Sequence, residues 1–119
     1  MTDQIKELID YIMEIRDESR FLIYENAGSA KDENVRTCLH ARGVNIACKQ
    51  ILDKVDKLFE DENSRIAKIR EYVDKLREEA IQDAVHCSRT RNYEGLARAY
   101  ERENICEDIE DEIRRILEE

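Results

Sequence analysis

Four cysteines, two histidines and twenty-nine carboxylates are the groups in this 119-residue chain with the chemistry to hold metals or move protons. Cys38, His40, His86 and Cys87 form the one set with the donor types of a tetrahedral zinc site. On a helix, residues two apart diverge by about 200° and neighbours by about 100°. Neither Cys38 with His40 nor His86 with Cys87 therefore converges on one point, and no metal is expected. The same divergence keeps His86 from activating Cys87 as a nucleophile. No Gly-x-Ser-x-Gly and no glycine-rich phosphate loop occurs. These absences point away from catalysis, and no cofactor is expected.

Two other constellations carry weaker chemistry. Glu14 with Asp17, and Glu107 with Glu110, have the three-residue spacing by which a helical nucleotide pyrophosphohydrolase holds Mg²⁺. Their helices would meet a shared ion at different levels, so hydrolysis ranks last among the readings. A basic, tyrosine-bearing set (Tyr24, Arg36, His40, Arg89, Arg91, Tyr93 and Arg98) clusters around two expected loops. Arginine forks and helix N-termini there would suit a phosphorylated small ligand or nucleotide. Glu107, Asp108, Glu110, Asp111 and Glu112 form an acidic run suited instead to a basic protein partner.

The elements that must position these groups are all helical. Proline is absent, glycine appears three times, and 41% of residues are charged against 41% hydrophobic. That mix favours long helices with charged outer faces. Ile5, Leu8, Ile12, Ile15, Ser19 and Leu22 step by three and four, predicting a helix from about Asp3 to Asn26 that Gly28 ends. Ala41, Val44, Cys48, Ile51, Val55 and Leu58 define a second, capped at Ser29, Asp32 or Asn34. Glu60 to Ser64 reads as a turn. Ile66, Ile69, Val73, Leu76, Ala80 and Ala84 define a third helix, over about 65–88. After a break at Arg89 to Arg91, Asn92 caps a fourth helix carrying Leu96, Ala99, Cys106, Ile109, Ile113 and Ile116. Gly43 lies inside the second, at a cost of about 1 kcal/mol against alanine, which suggests that another helix or a ligand passes close there.

Self-comparison reveals a repeat. A shift of 61 residues sets Ile5, Leu8, Tyr11, Ile12 and Arg16 against Ile66, Ile69, Tyr72, Val73 and Arg77. A shift of 58 sets Asn34, Ala41, Cys48, Ile51 and Val55 against Asn92, Ala99, Cys106, Ile109 and Ile113. The reading is one all-α domain over 1–119 of tandem helical hairpins, 3–61 and 64–119. These would form an antiparallel four-helix bundle with coiled-coil-like seams, either closed or opened into an intertwined homodimer.

In an up-down-up-down bundle the first and third loops share one end, which becomes basic. Asp61, Glu62, Glu118 and Glu119 collect at the other. Residues 99–119 carry nine acids against three arginines, within a net charge of −9. That balance argues against binding a nucleic-acid backbone directly. No apolar run reaches the roughly 20 residues of a membrane span, and no signal peptide is visible at the start. Widely spaced cysteines without such a signal suggest reduced thiols and a cytoplasmic address. The expected role is a non-catalytic interaction protein, an adaptor or an inhibitor of the phage counter-defence kind, acting on a protein partner. Sensing or sequestering a phosphorylated small molecule at the basic end is the alternative.

Overall fold

Why two hairpins become one bundle follows from where small residues fall. The computed structural model describes residues 3–58 and 62–118, which form four helices: α1 (Asp3–Asn26), α2 (Asp32–Asp56), α3 (Glu62–Arg89) and α4 (Tyr93–Glu118). Each three-four stripe turns inward. Ile5, Leu8 and Ile12 of α1, Ile51 and Val55 of α2, Ile69 and Val73 of α3, and Ile109 and Ile113 of α4 are almost fully buried. Of the residues that the two shifts set against each other, the pairs Ile5/Ile66, Leu8/Ile69, Ile12/Val73, Ala41/Ala99, Cys48/Cys106, Ile51/Ile109 and Val55/Ile113 are buried in both hairpins, while Tyr11 and Tyr72 are half-buried in both.

α1 packs on α2 and α3 on α4, and the hairpins join chiefly through α2 against α4. These two central helices run parallel, one diagonal of the bundle being short and the α1/α3 diagonal long. Ala41, Gly43, Ala47 and Cys48 on α2 and Ala99 and Cys106 on α4 are small enough to allow this. At Gly43 an added Cβ would lie 2.7 Å from the Arg98 carbonyl oxygen and 3.0 Å from Glu101 Cβ. The close neighbour that this glycine implied is therefore helix α4.

Bringing α2 and α4 together leaves α1 and α4 meeting along a thinner seam. Near the chain termini that seam is tied. Gln4 Nε2 donates to the Ile116 carbonyl at 3.2 Å, and Arg115 pairs with Glu7. Toward the loops it opens.

The helix ends differ from expectation in two places. α2 begins at Asp32 behind Lys31, which provides no side-chain cap. Ser29 instead accepts hydrogen bonds from the Lys31 N–H and from Asn34 Nδ2, organising the loop rather than the helix end. α3 starts at Glu62, inside the stretch expected to be a turn. Asp61 and Glu119 of the expected acidic pole, and Glu60 of the expected turn, lie outside the described residues. Gly28 takes the left-handed conformation (φ 80°), as its place after α1 implies. Asn92 caps α4 by accepting the Gly95 N–H at 3.0 Å. No described helix is long and apolar enough to cross a membrane.

Candidate functional site

The opened seam forms a cleft of about 610 Å³, bounded by α1 and α4 with α2 beneath. Ile15 and Leu22 from α1, Ala41 and Val44 from α2 and Ile105 from α4 make its apolar surface. Ile15, Leu22 and Val44 belong by spacing to the core stripes. They are only half-buried, because no fourth wall covers them. Ser19, on the same stripe, is buried and satisfies its hydroxyl by donating to the Arg16 carbonyl at 2.7 Å.

Polar groups form the rim. Glu18 stands on α1, Arg36 and His40 on α2, and Glu101 and Asp108 on α4, with Tyr11 at the inner end. His40 Nδ1 lies 2.6 Å from Glu101 Oε1, which bridges the two central helices. The Asp108 side chain is exposed, yet its carboxyl is held above its ordinary range, first by partial desolvation and then by Asp111, Glu107 and Glu101. Burial likewise raises Tyr11, helped by Asp108 and Glu112. Carboxylates therefore predominate at the inner rim, around Asp108.

The repeat supplies a second seam at the equivalent place, and there the outcome differs. Leu22 and Val44 correspond under the two shifts to Asp83 and Arg102. Those two form an ion pair across α3 and α4. The cleft they border, with Ile46, Cys87 and Arg98, is about 220 Å³, roughly a third of the first. One seam is narrowed by the Asp83–Arg102 pair; its counterpart is wider, with Leu22 and Val44 in the equivalent positions.

Against this geometry the basic set expected from sequence does not gather. Of its seven members only Arg36 and His40 border the groove. Arg98 lines the smaller cleft, and Arg89 lies at an outer cleft between α3 and α4 beside Val85 and Tyr100. Arg91 sits exposed in the left-handed turn (φ 56°) before α4. Tyr24 and Tyr93 are 84% and 70% exposed. Their scatter reflects helix phase, since sharing an end of the bundle does not mean sharing a face.

The acidic run is similarly divided. Glu107 pairs with Arg77 at 3.0 Å, and Glu110 with Arg70 at 2.7 Å. Glu112 is bound by Arg115, which pulls its carboxyl below the ordinary range. Asp111 lies 3.8 Å from Arg114. Asp108 alone of the five lines the groove.

Glu14 and Asp17 are exposed on α1, while Glu107 and Glu110 are engaged by arginines. Among the described residues no three His, Cys, Asp or Glu side chains come together as metal ligands. Burial raises the Cys48 and Cys106 thiols to about 12 and about 11, and all four cysteines are free.

Sequence reasoning overlooked Ile15, Leu22, Val44, Glu18 and Glu101 as site residues. The mismatch of Leu22 and Val44 with Asp83 and Arg102 was the available signal.

No protein-family model matches the chain, and comparison with curated proteins and with solved structures gave no match either.

Proposed function

We propose that this is a non-catalytic binding protein that receives an apolar segment of a protein partner in the groove between α1, α2 and α4. The observation that carries this is the contrast between the two halves of the repeat. Three apolar side chains that the bundle's own pattern directs inward are only half-covered at one seam, while an ion pair plugs the other. Uncovered apolar surface inside a concave, polar-rimmed site marks a place for a partner. Acting as an adaptor or inhibitor, in the cytoplasm, is the role that fits such a module.

The rim argues against the phosphorylated-ligand reading, because Glu18, Glu101 and Asp108 outnumber Arg36 and would repel a phosphate. A nucleotide bound at 100 times its dissociation constant would add about 2.7 kcal/mol to stability. We expect a nucleotide panel to leave the melting temperature unchanged.

The direct test copies the plugged seam into the open one. Leu22→Asp with Val44→Arg leaves the net charge unaltered and should fill the groove with an ion pair. A partner captured by the wild type should be lost by this double variant while its helical circular dichroism is kept. Undiminished capture of every wild-type partner by the folded variant would overturn the proposal.

A further inference from the structure

Resting on the groove reading above, we infer that the segment it takes is a basic amphipathic helix of about three turns. Shape comes first. α1 and α4 wall a trough floored by α2, and from Tyr11 to Leu22 it extends about 16 Å at 1.5 Å per residue. Three helical turns span that length. A guest lying there becomes a fifth helix over the seam where α1 and α4 part, setting side chains at i, i+3 or i+4, and i+7 on Ile15, Leu22 and Val44.

Charge selects the guest's other face. On α4, Glu107 pairs with Arg77 and Glu110 with Arg70. At the rim of the groove, among the described residues Glu18 and Asp108 take part in no ion pair. Glu101 meets only His40. Lysines or arginines flanking a guest's apolar stripe would reach these three carboxylates with their ammonium or guanidinium groups and keep their stems against the apolar surface. A second copy of this chain is a poor occupant, because it brings its own charge of −9. An acidic or uncharged helix would desolvate Asp108 without supplying a cation.

Designed peptides of about 18 residues, long enough to form a helix, test this. Their apolar leucine stripe is constant and the other face is lysine, glutamine or glutamate. The leucine–lysine peptide should bind about tenfold tighter than the leucine–glutamine one, equivalent to about 1.4 kcal/mol. The leucine–glutamate peptide should not bind. Glu18→Gln with Asp108→Asn, both on solvent-facing positions, should remove most of the advantage of lysine. Leu22→Asp with Val44→Arg, at constant net charge, should abolish binding. Equal binding of the lysine peptide to that variant would reduce the effect to general attraction by an acidic protein and overturn the inference. So would equal affinity for the lysine and glutamine peptides. In that second case amide shifts separate the claims. Perturbation at Ile15 and Val44 by both peptides would leave the groove reading standing without its charge selection. Perturbation confined to other faces would remove both.

Discussion

At Gly43 the helix forgoes the methyl group that would favour its own backbone, and the 2.7 Å approach of the Arg98 carbonyl explains why. Gly43→Ala gains about 1 kcal/mol of helix propensity but forces two backbones apart, an overpacking cost of about 1–3 kcal/mol. We expect net destabilisation, read as a lower urea midpoint. Asp108 gives a pH signature. Its folded carboxyl titrates above the unfolded value, so the native state holds a proton that the unfolded chain releases. That contribution to stability is present at low pH and is lost as pH rises through the folded value. Asp108→Asn should flatten this dependence and leave stability at pH 7 equal or higher, measured by urea titrations at several pH values. The thiols divide by burial. With Cys48 and Cys106 raised to about 12 and about 11, neither forms thiolate near neutrality. A thiol reagent should label the half-buried Cys87 first, and these two only as the protein unfolds.

Among the elements, α1 shows what its sequence reveals and what it hides. Its stripe from Ile5 to Leu22 is legible as a helix face, because burial repeats with the helical period. The same spacing cannot say whether a neighbour covers each position. Leu8 is 1% exposed, whereas Leu22 on the same stripe lies in the open seam. Leu8→Ala should cost about 2–5 kcal/mol and Leu22→Ala about 1 kcal/mol, a difference that thermal unfolding resolves. Comparable losses would mean that Leu22 belongs to the core and the groove is closed. The candidate site was less legible than the fold for the same reason. Arg36, Arg89, Arg91 and Arg98 lie near one end of the bundle, but grooves form along seams, and the seams depend on which helices come closest. That choice was made by small residues such as Ala47, Ala99 and Gly43, which carry no chemistry of their own.

For the molecule as a whole, the tie at the termini and the opening toward the loops divide its stability. Ile5, Ile51, Ile113 and Ile116 fill the tied end, while α1 beyond Ile15 has one face uncovered. Amide exchange should be slowest around Leu8 to Ile12 and faster from Ser19 to Asn26, since opening a helix costs least where least apolar surface is packed. The Glu7–Arg115 pair is exposed, and Glu7→Gln should change stability by about 0–1 kcal/mol.

The Asp83–Arg102 pair bears on valence. A chain built from two like halves would offer two like docking places and bridge its partners into networks. If the open groove is the docking place proposed above, the corked counterpart would limit each chain to a single partner, terminating an assembly rather than extending it. Converting the cork to the apolar pair, by Asp83→Leu with Arg102→Val, should then raise the calorimetric stoichiometry for an apolar-striped helix from one per chain toward two, turning an end-cap into a linker.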